Sequence, residues 1–329
     1  MKLSDLGEFG LIQRIQRMLP IGRGVRIGIG DDAAWVENPS GTSLVTADLL
    51  IEGVHFDLKW ISFFELGYKS LAVNLSDIAA MGGVPAYAIL SLGIPADLDT
   101  DKVDEFYRGI KAITRSNDVA VAGGDTNTSK SLIVSVCVIG HAPYRPIRRS
   151  GAGVGDDIYV TGTLGDSALA LSFLRDHKGR LQRKDLAKLL KRHHRPTPRL
   201  AAGALLAKHR LATAMIDVSD GLIQDLAHIC RASGTGAVIR QDHLPLSPTY
   251  RALAGKDGAC HALTGGEDYE LLFCARKHNR ARVEKLRGAG VPITRIGACV
   301  APDQGIIVID SCEKPVAISH PGYDHFKMT

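Results

Sequence analysis

The apolar positions of this chain change period many times, and each change marks a short element. Across residues 1–20, Phe9, Ile12, Ile15, Gln16 and Leu19 fall near one face, which predicts an amphipathic helix closed by Pro20. A β-rich run at 43–48 ends in Asp48. From 63 to 81 the apolar positions, among them Leu66, Ala72, Leu75 and Ala79, fit the buried stripe of a helix that Gly82-Gly83 terminates. Strands are predicted at 87–93, 119–122 and 131–140, with a helix at 98–116. His141-Ala142-Pro143-Tyr144-Arg145-Pro146, followed by Gly151, Gly153 and Gly155, breaks every period and predicts a boundary. Beyond it, strands at 157–161, 215–217, 236–240, 270–274, 293–300 and 306–310 mix with helices at 167–177, 184–191, 199–209 and 222–232. The pattern is that of an α/β protein with a first domain over 1–142 and a second over 150–329.

A chain of 329 residues can bury two cores of ordinary size. Its 45% hydrophobic and 23% charged residues are those of a soluble globular protein. A formal charge of +5 and 5% aromatic residues argue against a basic-aromatic surface, so no nucleic-acid partner is expected. No run approaches the ~20 apolar residues that cross a bilayer, and Lys2, Asp5 and Glu8 interrupt any apolar leader. The six cysteines form no C-x-x-C pair, and several lie in apolar runs such as Ser135-Val136-Cys137-Val138-Ile139. They read as reduced core cysteines of a cytoplasmic protein that has no membrane partner.

The chemistry lies in five acidic clusters tied to glycine or serine: Gly28-Ile29-Gly30-Asp31-Asp32, Thr46-Ala47-Asp48, Asn74-Leu75-Ser76-Asp77, Gly123-Gly124-Asp125-Thr126 and Asp217-Val218-Ser219-Asp220-Gly221. A carboxylate beside a glycine turn is a hard oxygen ligand on backbone that approaches a ligand closely. Asp32, Asp48 and Asp125 are each expected to end a strand-like run, where α/β folds gather ligands. Asp77 is expected on the 63–81 helix with Asn74 on the same face; alone it reads equally well as an exposed or capping residue. Four carboxylates meeting without cations would repel one another, and two or more Mg²⁺ ions would relieve this while binding phosphate oxygens. The Asp217–Gly221 segment reads either as a plain N-cap or as a helix start with free N–H groups for an anion. Lys191-Arg192-His193-His194-Arg195-Pro196 reads as a solvated basic loop rather than a phosphate grip. No P-loop, Rossmann glycine fingerprint or protein-kinase signature set is present.

These motifs, together with Arg149-Ser150-Gly151-Ala152, Tyr159-Val160-Thr161-Gly162, Gly265-Gly266-Glu267-Asp268-Tyr269-Glu270 and Gly322-Tyr323-Asp324-His325-Phe326, resemble the thiamine-monophosphate kinase family nearly end to end and in order. The resemblance implies transfer of the γ-phosphoryl group of ATP to thiamine monophosphate, giving thiamine diphosphate. It also implies the two-domain aminoimidazole ribonucleotide synthetase-like fold, with an N-terminal sheet that dimerises and a C-terminal α/β domain. Carried onto this chain, Asp32, Thr46, Ala47, Asp48, Asp77, Asp125, Asp217 and Asp220 resemble Mg²⁺-binding positions. Ala47 stands where relatives carry Thr, so only its backbone could contact metal. Tyr107, Gly124, Asp125, Arg149 and Ser219 resemble ATP-contacting positions, and His55, Glu267 and Tyr323 those around the thiamine substrate. The chemistry agrees: Tyr323 offers a ring for a cationic or aromatic group, Glu267 an acceptor for an aminopyrimidine, and Arg149 a fork for phosphate.

A phosphate acceptor needs little deprotonation, so the expected reaction is direct in-line transfer without a general base or a phosphoenzyme. Two rival readings share the fold. One is another ATP-dependent phosphotransferase or ligase; the selenide-activating enzyme is disfavoured because the first cysteine is Cys137. The other is a hydrogenase-maturation-type partner-binding factor, disfavoured because the chain ends Phe326-Lys327-Met328-Thr329 without cysteine.

Overall fold

The computed structural model describes residues 25–28, 30–38, 41–175, 183–255, 258–286, 290 and 292–318, with 10, 12, 13, 16, 320, 322, 323 and 326 besides. Most of the helix expected over 1–20 lies outside them. Two six-stranded mixed sheets carry the fold. The first uses β1 (Val25–Ile27), β2 (Ala34–Asn38), β3 (Gly41–Ile51), β4 (Val84–Ile94), β5 (Ala120–Thr128) and β6 (Ile133–His141), in the order β1-β2-β3-β6-β4-β5. Only β4 and β5 run parallel, joined through the helix Thr100–Asn117, as a crossover connection requires. The second uses β7 (Asp157–Thr161), β8 (Ala214–Asp217), β9 (Gly236–Arg240), β10 (Leu271–Ala275), β11 (Ile293–Val300) and β12 (Ile306–Ile309), in the order β12-β9-β11-β7-β10-β8.

The helix Phe63–Ala80 is the spine between the two sheets. Ser62 starts it with a capping box: its hydroxyl accepts from the Glu65 backbone N–H, and Glu65 returns the bond to the Ser62 backbone. Gly82, at φ +69°, ends it. Leu66, Leu71, Leu75 and Ile78 enter the first core, while Ala79 and Ala80 enter a separate cluster with Ile147, Tyr159, Leu206, Met215 and Phe273 that closes the seam to the second half. Backbones meet tightly here. A side chain at Gly67 would overlap the Phe106 carbonyl, one at Gly109 the Phe64 carbonyl, and one at Gly203 the Ala79 carbonyl.

Two strand endings differ from the sequence expectation. β3 runs past Asp48 to Ile51, and β5 runs through Gly123-Gly124-Asp125 to Thr128, so both aspartates are mid-strand. The cause is pairing: Asp48 stands opposite Val136 of β6, and Asp125 beside Ser91 of β4. A side chain at Gly124 would overlap the Leu90 carbonyl, so this glycine lets the two strands approach.

The first sheet buries one face only. Leu44, Leu50, Leu90, Val134, Val136 and Val138 face the helices, while Leu49, Tyr87, Ile89 and Val121 are exposed large apolar residues. All nine residues of β5 are exposed.

Candidate active site

Asp32, Asp77 and Asp217 converge from a turn before β2, the spine helix and the end of β8. Each offers a carboxylate oxygen within 4.8 Å of the others. Asp32 and Asp217 are buried. Asp77 Oδ2 accepts from Thr46 Oγ1 at 2.6 Å, and Asp217 Oδ2 from Ser76 Oγ at 2.6 Å. Asn74 does not pair with Asp77; its Oδ1 accepts from the Asp48 backbone N–H at 3.1 Å and thereby sets β3 against the helix. Burial, then the charges of Asp48, Asp217 and Asp32, raises the Asp77 carboxyl well above the ordinary range. Burial, then Asp32, does the same to Asp217, and burial pushes Asp48 up to about 6. Such a group of hard oxygen donors, repelling one another in a buried space, fits a divalent cation.

Arg149 forks onto Asp32, Nε to Oδ2 at 3.1 Å and a terminal guanidinium nitrogen to Oδ1 at 3.2 Å. Its backbone N–H donates to Asp31 Oδ1 at 3.1 Å. Burial and the Asp32 charge push the Asp31 carboxyl up to about 7.

The loop after β8 corrects one expectation. The N–H groups of Ser219, Asp220 and Gly221 are not free for an anion: all three donate to Asp225 Oδ2, at 3.1, 3.2 and 3.1 Å. Asp225 lies in the first turn of the helix Leu222–Ser233, so the helix start is capped from within. Gly221, at φ +123° and against the Thr264 carbonyl, allows the turn.

Glu267 reaches the same place from the other side. Its backbone N–H donates to the Ser219 carbonyl at 2.7 Å, and that of Tyr269 to Val218 at 2.9 Å. A side chain at Gly266 would overlap the Ser219 carbonyl. Lys69 Nζ lies 2.7 Å from Glu267 Oε1, and His193 Nδ1 3.1 Å from Oε2. Tyr323 closes this corner: its N–H donates to the Asp220 carbonyl at 3.2 Å, and its carbonyl accepts from the Gln224 amide. Its side chain is exposed.

The segment expected to be a solvated basic loop is largely internal. His193 and His194 are buried within the helix Arg183–His194, and Arg192 donates to Glu270 at 2.6 Å. Arg199 grips the same carboxylate through Nε at 2.6 Å, and Thr161 Oγ1 donates to it at 2.7 Å. The basic residues answer buried carboxylates that lie far away in sequence, which a local charge run cannot reveal.

The remaining expected residues are more dispersed. Asp48 and Asp220 lie close enough to perturb Asp217 or Asp225, but neither is in the close group of three. Asp125 and Gly124 lie on exposed β5, where Asp125 accepts from Thr126 N and Asn127 Nδ2. Ala47 is exposed on β3, and His55 Nδ1 accepts from Ile51 N at 3.0 Å in the following turn. Tyr107 is exposed on the outer helix, edge-on to Phe106. Sequence reasoning missed Lys69, Asp225 and Arg199, gave Glu270 no role beyond its motif, and read Arg192 and His193 as part of a solvated loop. For Lys69 alone a signal existed, a lysine inside an apolar helical stripe. A surface cavity of about 410 Å³ beside Gln241, Tyr250 and Asp310 shares none of these residues.

Two family models match, the AIR synthase related protein N-terminal domain over residues 30–142 and its C-terminal domain over 153–310. The thiamine-monophosphate kinase of Escherichia coli O157:H7 is 42% identical over 325 residues, spanning 97% of this chain and 98% of that protein. A solved structure described as AaThiL complexed with AMPPCP and TMP is 36% identical, with a TM-score of 0.86 and 99% of both chains covered. The Escherichia coli hydrogenase maturation protein HypE, at 17% identity and a TM-score of 0.71 over 96% of this chain, shares the fold alone. The close group of aspartates is thus set in a chain that belongs to the thiamine-monophosphate kinase family, among the AIR synthase related proteins.

Proposed function

We propose that this chain transfers the γ-phosphoryl group of ATP to the phosphate of thiamine monophosphate, forming thiamine diphosphate. The observation that carries the reading is the buried group Asp32, Asp77 and Asp217, assembled from both halves of a chain 42% identical to a named thiamine-monophosphate kinase. Asp32, Asp77 and Asp217 would hold Mg²⁺, with Asp48, Asp125, Asp220 and the Thr46–Ala47 backbone nearby or at the domain edge. Bound there, Mg²⁺ neutralises phosphate oxygens and stabilises charge in the transferring group. The residues of the chain do the positioning. Thr46 and Ser76 orient two of the carboxylates, and Asp225 fixes the loop that carries Asp217, Ser219 and Asp220.

Were a cation to take the Asp32 carboxylate, the Arg149 fork would be open to the nucleotide phosphates, and Ser219, Gly124 and Tyr107 are proposed as further ATP contacts. Glu267 and Tyr323, which meet at the 219–221 loop, together with His55, are proposed to contact the acceptor. A phosphate acceptor is already ionised near neutral pH, so the proposed transfer asks for no general base.

The chain is proposed to act as a homodimer, because the first sheet leaves Leu49, Tyr87, Ile89 and Val121 exposed on one face. Six free thiols, with no helix among the described residues long and apolar enough to cross a membrane, suit a reducing cytoplasm. The deciding assay is ATP consumption with thiamine monophosphate, free thiamine and unrelated acceptors. Turnover dependent on thiamine monophosphate supports the reading. Equal kcat/KM for free thiamine would mean a different reaction class.

A further inference from the structure

Glu267 has a backbone that side chains seldom adopt. It lies at φ +66°, and Tyr269 two residues later at φ +50°. Such left-handed residues persist where neighbours over-determine them, and they gather where a ligand is clamped. Here the enforcing bonds run to Ser219 and Val218 on one side, and through Glu270 to Arg192, Arg199 and Thr161 on the other.

The Glu267 carboxylate is fixed just as firmly. Lys69 meets Oε1 at 2.7 Å and His193 Nδ1 meets Oε2 at 3.1 Å, while Ser167 Oγ holds the same His193 nitrogen at 2.8 Å. The exposures differ. The Lys69 side chain is 2% exposed and that of His193 9%, against 27% for Glu267. Both partners are buried more deeply than the carboxylate they hold, and the Glu267 backbone is tied to the Asp217–Gly221 loop at Ser219, so the accessible part of the carboxylate belongs to the same corner of the site. Burial would raise this carboxyl, but the Lys69 charge, aided by the His193 hydrogen bond, outweighs it and holds it well below the usual range. Burial and Lys69 push the His193 imidazole itself down, so Lys69 carries the charge of the clamp.

We infer that Lys69 and His193 are positioning residues that hold Glu267 as a fixed anion, so that its open edge accepts a hydrogen bond from an N–H donor on the substrate's heterocycle. The inference rests on the kinase reading above and adds a basis for selectivity to it. An anionic carboxylate accepts and cannot donate, so the pocket favours an exocyclic amino group over an oxo group at the same place. Lys69 is the stronger holder because its charge is buried and has no other carboxylate partner among the described residues.

The test compares thiamine monophosphate with its analogue in which the ring amino group is replaced by oxo, under saturating ATP and Mg²⁺. Wild type should prefer the amino form. Lys69→Met should raise the KM for thiamine monophosphate about tenfold and shrink the amino-over-oxo preference about tenfold, the scale of one charge-assisted hydrogen bond. The KM for ATP and kcat should stay within about threefold. His193→Phe should act in the same direction, and Lys69→Arg should restore much of the preference. An unchanged preference in both Lys69→Met and His193→Phe overturns the inference, as does an equal rise in both KM values. If Lys69→Met fails to fold, His193→Phe decides alone. Wild type that consumes ATP with neither acceptor overturns the kinase reading, and the clamp falls with it.

Discussion

The single hydroxyl partners of Asp77 and Asp217 mean that each carboxylate keeps an oxygen in reserve. Replacing Asp217 with Asn keeps the Ser76 bond and removes one charge. Asp217→Asn and Asp48→Asn are expected to lower kcat by about 10²-fold or more, the cost of one strong transition-state contact, with little change in melting temperature. A folded variant with most of its kcat would remove the cation reading. The same residues give a pH dependence. The folded carboxyls of Asp48 and Asp31, at about 6 and about 7, lie above their ordinary 3.8. The folded state therefore binds protons more tightly than the unfolded one, and this stabilisation is complete below about pH 4 and lost as pH rises to about 7. Cation binding opposes that loss. Melting curves should show a larger rise with Mg²⁺ at pH 8 than at pH 5; equal rises at both would count against a carboxylate site. The aspartates could be read from the sequence because each lies within two residues of a Gly, Ser or Thr. Their partners could not: Ser76 and Asp217 are 141 residues apart, and Arg199 and Glu270 are 71.

Among the elements, the spine helix was the most legible, because its apolar stripe and its Gly82-Gly83 stop are local signals. What the stripe concealed is how many polar residues it carries to other elements: Glu65 to His194, Lys69 to Glu267, Asn74 to β3 and Ser76 to the end of β8. Its close fit to the helix Thr100–Asn117 is testable. Gly67→Ala places a methyl group against the Phe106 carbonyl and is expected to cost about 1–3 kcal/mol. Urea unfolding measures this, and an unchanged midpoint would show that the two helices can move apart at no cost. The strand ends at Asp48 and Asp125 were misjudged for a related reason. A glycine or an aspartate reads locally as a stop, yet backbone pairing with β6 and β4 carries both strands onward.

At the scale of the whole molecule, two α/β halves follow from the alternation of periods, whereas the packed seam between them and the open face of the first sheet do not. Patterning marks a strand as apolar without saying what covers it. If a second copy covers it, sedimentation at micromolar protein should give a dimer near twice 35.3 kDa. Tyr87→Lys, which places a charge on that face, should shift the species toward monomer. An active wild-type species of 35.3 kDa would exclude the dimer.

Asp225 and Asp32 have a kinetic consequence. The two groups best suited to grip a bare phosphate, the N–H row of residues 219–221 and the Arg149 fork, are both already engaged by carboxylates of the chain itself. Without a cation on Asp32, uncomplexed ATP thus meets negative charge, with both of these groups occupied. The nucleotide should enter as its magnesium chelate, so at fixed total ATP the velocity should track chelate concentration. Adding ATP beyond the metal supply should lower the rate, because the excess draws Mg²⁺ from the aspartate group, and added Mg²⁺ should restore it.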